Sequence, residues 1–296
     1  MHTLSRSVRS LGVAAVAALL LVACADDDTI AIGSADFDES EIVASMYAAV
    51  LEDAGYDVDR RFLFGPRETY FAALEDGDLD LVPEYAGTAV EFLTGGAGEA
   101  TADTGETVAR LRELVAEEGL VALEPAEAEN KNTFVVTRET ADEYGLSAVS
   151  DLEPVGGDLV LGGPPECPER PLCLIGLQEV YGIEFADFQP LDAGGAVTIG
   201  ALDGGDVDVA LLFTTEPAIA ANDWVALEDD GGLQPAENII PVIREDALDD
   251  DVAELLDAIA ARLTTEEISA LNAQVREEGA DPQDVAEDWL RDQGLL

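Results

Sequence analysis

Apolar residues near the start of the chain recur at two different spacings. Residues 29–33 (Thr-Ile-Ala-Ile-Gly) form a short apolar run that ends at a turn residue, and residues 58–64 form a second run, so both are predicted strands. Between them, the apolar positions of residues 42–50 recur at helical spacing. This stretch follows the acidic residues 38–41, which favour a helix start, and it stops at Gly55. The pattern predicts strand, helix, strand.

The same alternation continues along the rest of the chain. We predict helices at residues 68–75 and 106–119, two helices within 247–278 that separate near Thr264, and a last short helix at 284–290 that packs on the first half of the fold. Residues 132–137 and 238–243 are predicted strands that cross between two halves. Alternating strands and helices predict an α/β fold with mostly parallel sheets flanked by helices.

An internal repeat suggests that the two halves are alike. Residues 74–81 (Leu-Glu-Asp-Gly-Asp-Leu-Asp-Leu) match residues 202–209 (Leu-Asp-Gly-Gly-Asp-Val-Asp-Val), each with the pattern of a helix end, a glycine turn and a strand. An aromatic residue follows each copy at the same distance, and hydroxyl residues come next: Tyr85 and Thr88 in one copy, Phe213, Thr214 and Thr215 in the other. Because ligands of open α/β sheets bind at the carboxyl ends of strands, these residues are candidate ligand contacts.

The predicted crossing strands set the domain organisation. One lobe comprises residues 29–130 and 240–296, and the other comprises residues 131–239. The two crossing segments form the hinge.

The N-terminus has the pattern of a secretion signal. Arg6 and Arg9 precede the uninterrupted apolar run 11–23, which is shorter than the roughly 20 residues of a membrane-spanning helix. The sequence Leu-Val-Ala-Cys at residues 21–24 resembles a lipobox. We therefore predict a signal peptide at residues 1–23, lipidation of Cys24 and a linker to residue 28, rather than a transmembrane anchor.

The charge balance excludes whole classes of partner. The chain has 64 acidic and 14 basic residues and a formal net charge of −50. A nucleic acid partner is excluded because phosphate contacts need clustered Lys and Arg. Such a charge keeps a protein soluble but makes it repel itself, a compromise found in halophiles, so we hypothesise a salt-exposed source.

Cysteine and histidine usage narrows the chemistry further. Cys167 and Cys173 are predicted to form a disulfide, because paired cysteines at short spacing in an exported protein favour one over a metal site or free thiols. The only histidine, His2, lies in the predicted signal peptide. Serine–histidine triads and histidine-ligated zinc are therefore excluded from the mature chain. We predict no metal site, no cofactor and no enzymatic activity, although paired carboxylates in a cleft are the rival, enzymatic interpretation.

Several motifs in one order resemble a known family. These are Ile-Gly-Ser at residues 32–34 followed by Glu-Ile-Val-Ala; Gly-Asp-Leu-Asp at 77–80 followed by Glu-Tyr-Ala-Gly-Thr; Phe-Val-Val-Thr at 134–137 followed by Tyr-Gly-Leu; and Gly-Asp-Val-Asp at 205–208. Together they resemble the glycine betaine, carnitine and choline type of ABC substrate-binding protein, over residues 29–296.

The resemblance implies both a fold and a function. It implies a two-lobed periplasmic-binding-protein clamp of type II-like architecture that closes by hinge motion. It also implies an extracytoplasmic lipoprotein, which we expect to be monomeric and anchored to the cell membrane, and which delivers a small solute to an ABC permease and its ATPase. The implied solute is a quaternary-ammonium compatible solute held by aromatic rings, each worth roughly 0.5–2 kcal/mol through cation–π attraction.

The aromatic box that the resemblance implies is only half present. Tyr85 is retained and Phe213 stands for a second tyrosine, whereas Asn132 and Leu174 occupy the other two positions. The sequence leaves two interpretations: either other aromatic residues substitute, with Phe37, Tyr70 and Phe71 as candidates, or the ligand is a different small zwitterion or an amino-acid-like solute.

The predicted ligand contacts come from both lobes. Arg67 is a candidate to hold a ligand carboxylate as a bidentate donor, and its alternative is pairing with local acids. The full predicted set is Ser34, Arg67, Tyr85, Thr88, Asn132, Phe213, Thr214 and Thr215.

Overall fold

A computed structural model describes residues 29–296. The predicted signal peptide and the predicted lipidation site Cys24 lie outside the described residues. Within the described part, no helix has both the length and the apolar character that crossing a bilayer requires.

The strands of the described residues form two five-stranded sheets, ordered β2-β1-β3-β10-β4 and β7-β6-β8-β5-β9. Their bounds are β1 (Thr29–Ala35), β2 (Asp57–Gly65), β3 (Leu81–Tyr85), β4 (Leu120–Ala122), β5 (Asn132–Val136), β6 (Val160–Gly163), β7 (Asp187–Pro190), β8 (Val209–Phe213), β9 (Val225–Ala226) and β10 (Ile239–Arg244).

Both sheets are mixed: in each, four strands run in one direction, as the alternating pattern predicts, and one strand opposes them. In the first sheet, β1 pairs in parallel with β2 and β3, and β10 is antiparallel to its neighbours β3 and β4. In the second, β6 pairs in parallel with β7 and β8, and β5 is antiparallel to β8 and β9. The strand that opposes its neighbours in each sheet is the predicted crossing strand, because there the chain arrives from the other half.

Helices cover both faces of the sheets. Their bounds are α1 (Asp38–Ala54), α2 (Arg67–Asp76), α3 (Ala86–Leu93), α4 (Thr104–Glu117), α5 (Arg138–Tyr144), α6 (Leu174–Tyr181), α7 (Ala196–Gly204), α8 (Pro217–Ala221), α9 (Asp250–Ala260), α10 (Thr265–Glu278) and α11 (Pro282–Gln293).

Local signals fix several helix ends where the sequence predicts them. Gly55 ends α1 in the left-handed region at φ 98°, which glycine adopts without a Cβ clash. The hydroxyl of Thr264 accepts a hydrogen bond from the backbone N–H of Glu267 and so caps α10. The predicted separation of the two C-terminal helices is confirmed.

The first sheet is buried between two apolar layers. Ile30 and Ile32 on β1 face the layer that includes α1 and α9 to α11, where Trp289 is buried. Ala31 faces the opposite layer, which includes Phe71 and Leu111 from α2 and α4. The last helix therefore packs on the first lobe, as predicted.

The two copies of the repeat make equivalent hydrogen bonds in the structure. Asp80, just before β3, accepts a hydrogen bond from the backbone N–H of Ala31, and Asp208, just before β8, accepts one from Val160, both at 2.8 Å. Each aspartate ties the start of its strand to the neighbouring parallel strand. The aromatic residues that end β3 and β8 consequently hold equivalent positions in the two sheets.

Candidate ligand-binding site

A cavity of about 570 Å³ lies between the two halves of the fold. Residues at or just after the ends of β1, β2 and β3 line one side, and residues that follow β6 and β7 or lie in the last part of β8 line the other. The carboxyl ends of parallel strands thus meet at this cavity, the usual ligand position in α/β folds. Its aromatic lining residues are Phe37, Tyr70, Tyr85, Phe92 and Phe213.

Three of these rings contact one another in series across the two lobes. The ring centre of Phe37, the residue before α1, lies 5.4 Å from that of Phe213 and 6.0 Å from that of Tyr85, with interplanar angles of 25° and 31°. We call Phe37, Tyr85 and Phe213 the aromatic wall. Aromatic faces carry negative charge density, so such a wall suits a cation.

The hydroxyl of Tyr85 is held from behind the aromatic wall. It donates to Oε1 of Glu39 at 2.8 Å. The Glu39 carboxylate also accepts from the side chains of Asn130, Thr215 and Asn272, each at 2.6 Å. Burial and the Glu39 charge raise the pKa of Tyr85 well above its usual range, so the phenol stays protonated and donates.

Arg67, which lines the cavity, belongs to a buried ion pair. The Arg67 guanidinium donates from Nε to Oε1 of Glu84 at 3.1 Å and from Nη2 to Oε2 at 3.0 Å. Glu84 is fully buried and also accepts from the hydroxyl of Tyr70 and the backbone N–H of Tyr85. Burial alone would lower the pKa of Arg67, but the Glu84 charge raises it, so Arg67 stays cationic. Among residues 29–296, Nη1 of Arg67 has no hydrogen-bond partner, which leaves it as a donor for a ligand.

A second buried carboxylate supports Thr88 at the first turn of α3. The backbone N–H of Thr88 donates to Oε2 of Glu237 at 3.0 Å, and its hydroxyl donates to the other oxygen. Burial raises the pKa of Glu237 to about 7, although the Thr88 hydrogen bonds and the Arg67 charge act in the opposite direction.

A disulfide-closed loop lines part of the cavity. The predicted disulfide between Cys167 and Cys173 is confirmed, and we call residues 167–173 the disulfide strap. Arg170 on the strap forms a salt bridge of 3.1 Å with Glu68 of the other lobe. Within the strap, the carbonyl of Leu172 accepts hydrogen bonds from two side chains, Asn132 at 3.3 Å and Gln234 at 3.0 Å.

The lobes also touch through α10. Arg276 forms ion pairs with Asp38 at 2.8 Å and with Glu216 at 3.5 Å, and it donates to the carbonyl of Gly194 at 3.2 Å. Because Gly194 and Glu216 belong to the half of the chain that forms the second sheet, this contact and the strap both join the two lobes.

Five predicted contacts line the cavity: Arg67, Tyr85, Thr88, Asn132 and Phe213. The side chains of Asn132 and Phe213 come from directly opposed positions of β5 and β8. Of the substitute aromatics, Phe37 and Tyr70 line the cavity. Phe71 does not line it, and its ring centre lies 5.3 Å from that of the lining residue Phe92.

The other three predicted contacts do not line the cavity. Ser34 is buried, and its hydroxyl accepts from the N–H of Leu63 at 2.8 Å. The hydroxyl of Thr214 accepts from the N–H of Lys131 at 3.0 Å, and Thr215 donates to Glu39. Their direct contact with a ligand stays a prediction.

The cavity lining is acidic overall. It carries two arginines, Arg67 and Arg170, and six acids, which are Asp36, Glu68, Glu91, Glu166, Glu169 and Asp192. A cleft with an excess of one sign of charge concentrates ions of the opposite sign, so the net negative charge of this lining favours cations. Across residues 29–296, no three metal-ligating side chains cluster as a metal site would require.

Sequence reasoning missed Phe92, Glu39 and Glu237. Glu39 lies in the acidic first turn of α1 and Glu237 just before β10, but nothing in the sequence distinguishes them among 64 acids. Only their burial in the folded chain shows their part in the site.

Two sheets flanked by helices, with a lined cavity between them, define a two-lobed solute-binding protein. The model of the substrate-binding domain of ABC-type glycine betaine transport systems matches residues 28–292. The chain belongs to this family.

Relatives agree with this assignment over nearly the whole chain. A glycine-betaine-binding protein of Pseudomonas aeruginosa is 32% identical, in an alignment that covers 99% of this chain and 96% of the relative. Apo YehZ from Escherichia coli is 28% identical with a TM-score of 0.64, covering 90% of this chain and 99% of YehZ. A glycine betaine/carnitine/choline ABC transporter structure has the same fold, with 24% identity, a TM-score of 0.69, and coverage of 90% and 99%.

Proposed function

We propose that this chain is the extracytoplasmic substrate-binding subunit of an ABC importer and that it captures a quaternary-ammonium solute of the glycine betaine, choline and carnitine class. The aromatic wall in the cavity between the lobes is the observation that carries this proposal. The relatives named for glycine betaine and carnitine binding support it.

The geometry suits the chemistry of such a solute. A trimethylammonium group cannot donate hydrogen bonds, so it is held by the faces of Phe37, Tyr85 and Phe213 and by the acidic lining. For a zwitterionic ligand, Nη1 of Arg67 supplies the donor for the carboxylate. Thr88 and Asn132 supply further polar contacts. Ser34, Thr214 and Thr215 support the surrounding backbone and the lobe contact.

Capture is proposed to be binding without chemistry. The family is one of substrate-binding transport proteins. The mature chain has no histidine to act as a general base, and its buried carboxylates are occupied by hydrogen bonds within the fold. No cofactor is part of this proposal.

The lobe boundaries are proposed from the crossing strands. One lobe comprises residues 29–130 and 240–296 and the other comprises residues 131–239, since β5 and β10 begin next to these limits. Closure then turns the lobes about the two crossings.

The chain is proposed to work as a monomer held at the outer face of the membrane by acylated Cys24. The lipobox-like residues 21–24 support the anchor. The closed lobes present the solute to a permease, whose ATPase drives import.

Calorimetric titration of residues 25–296 in high salt tests the ligand class. The panel holds glycine betaine, choline and carnitine, together with 3,3-dimethylbutanol, which replaces the cationic nitrogen of choline by carbon. We expect binding of at least one cationic member and not of the neutral isostere, because cation–π attraction requires the charge. A bound ligand at 100 times its Kd should also stabilise the fold by about 2.7 kcal/mol.

Substitutions locate the binding site. Tyr85→Ala and Phe213→Ala should each weaken binding by up to about thirtyfold, because each removes a ring worth up to about 2 kcal/mol. The matched control is Tyr144→Ala, an exposed aromatic that does not line the cavity. Equal binding of the neutral isostere, or no binding of any cationic member, contradicts the proposed ligand class.

A further inference from the structure

One buried carboxylate joins the cavity to the contact between the lobes. Glu39, near the start of α1, is 3% exposed and accepts four side-chain hydrogen bonds. Bonds to an ionised acceptor are about twice as strong as neutral ones. A carboxylate out of water depends on such donors, because an unsatisfied buried charge is costly.

The four donors divide between the two oxygens of Glu39. Oε1 accepts from Tyr85 and Asn130, which both line the cavity. Oε2 accepts from Thr215, which follows β8 in the second lobe, and from Asn272 on α10. The carboxylate is planar and rigid, so its two oxygens move together. Oε1 thus contacts the cavity lining, whereas Oε2 reaches the opposite lobe through Thr215.

The arrangement on the Oε2 side is specific. The Asn272 amide donates to Glu39 at 2.6 Å and to the carbonyl of Thr215 at 3.4 Å. Its own oxygen is buried without a hydrogen-bond partner among the described residues. A side chain that served only the stability of its own lobe would gain by satisfying that oxygen. The Asn272 amide is instead oriented by its hydrogen bonds to Glu39 and to the carbonyl of Thr215.

We propose that Glu39 is a positioning residue that couples the aromatic wall to lobe closure. When the lobes separate, Thr215 leaves Oε2, and the buried charge loses a donor. When a ligand fixes the ring of Tyr85, its hydroxyl fixes Glu39 in the position that receives Thr215. The ligand half of this proposal rests on the proposed function, whereas the lobe contact does not.

The first test is Thr215→Val in the full chain, purified in detergent so that any lipid is retained. Valine keeps the shape of threonine and removes the hydroxyl, and position 215 lies outside the cavity lining. We expect the ligand-free variant to be more open, measured as a larger distance between fluorophores placed on the two lobes. We also expect its Kd for choline or glycine betaine to rise about tenfold, the loss of one hydrogen bond to a charged group. An unchanged distance distribution overturns the proposal.

A double-mutant cycle tests the coupling itself. Tyr85→Phe keeps the ring in the wall and removes only the hydroxyl. If Glu39 links the two sites, the rise in Kd for Tyr85→Phe with Thr215→Val is smaller than the product of the single rises, because each change already breaks the link. A rise equal to that product overturns the coupling.

Charge controls separate coupling from folding. Glu39→Gln keeps one acceptor oxygen and should open the lobes as Thr215→Val does. Glu41→Gln removes the same charge from the same helix turn and should not. If Glu39→Gln does not fold, the Tyr85 and Thr215 variants still decide whether the cavity lining and the lobe contact are coupled. If the wild-type chain binds no member of the panel, the proposed ligand class fails, and the lobe distance in ligand-free Thr215→Val still decides the part of Glu39.

Discussion

Removal of the Glu237 charge should change how stability depends on pH. Glu237 is buried, and both of its oxygens accept hydrogen bonds from Thr88. In Glu237→Gln, the amide oxygen can accept from the Thr88 N–H while the amide group donates to the Thr88 hydroxyl. The substitution therefore removes the charge and keeps the contacts.

The size of the expected change in the free energy of unfolding follows from the raised pKa of Glu237. Burial raises the pKa of Glu237 from 4.5 to about 7, so the folded state binds this proton more tightly than the unfolded state. The unfolded chain releases the proton first, and stability falls as pH rises from about 4.5 to about 7, then stays level. At about 1.4 kcal/mol for each pKa unit, the charged form costs about 3 kcal/mol at pH 8.

Urea unfolding of wild type and variant at several pH values, in constant high salt, measures the effect. We expect equal free energies of unfolding near pH 4.5 and an advantage of about 3 kcal/mol for Glu237→Gln at pH 8. Glu113→Gln, which removes an exposed charge from α4, should show little pH dependence relative to wild type. A difference between Glu237→Gln and wild type that is constant across this range refutes the reasoning.

Three further outcomes follow from the structure. Replacing both cysteines of the disulfide strap by serine should lower the free energy of unfolding by about 2 kcal/mol through loop entropy; a urea midpoint of wild type that reductant leaves unchanged would contradict this. Arg67→Met should cost about 3–5 kcal/mol because it leaves Glu84 buried without its cation, and adding Glu84→Gln should restore most of that loss; a double variant no more stable than the single one would disprove the ion-pair account. Added KCl should raise the thermal midpoint, since a net charge of −50 repels itself and salt screens the repulsion; a midpoint indifferent to KCl would count against it.

The sequence predicts those parts of the fold that depend on local chemistry. The glycine turns and aspartates of the repeat identify the equivalent strands β3 and β8, and Thr264 marks the start of α10. Helix α3 is missed because β3 ends at Tyr85 and α3 begins at Ala86, without a turn residue or polar cap between them. There the packing of the folded chain, rather than a local signal, ends the strand.

The residues of the site likewise include some that the sequence identifies and some that it does not. Tyr85 and Phe213 can be found because each ends a copy of the repeat, and Phe37 can be named as an aromatic near a motif. Glu39 and Glu237 cannot, because their importance comes from burial among donors that lie far away in the sequence. In a chain this acidic, burial is what distinguishes an important carboxylate, and only the tertiary structure determines burial.

The aromatic wall has a consequence for unloading. Phe37 and Tyr85 belong to one lobe and Phe213 to the other, so the complete wall exists only while the lobes are together. Under the proposed function, a permease that separates the lobes also separates these rings, so affinity for the solute falls without any competing molecule. The solute is then released at the permease. Binding and release then correspond to the closed and open arrangements of the same two lobes.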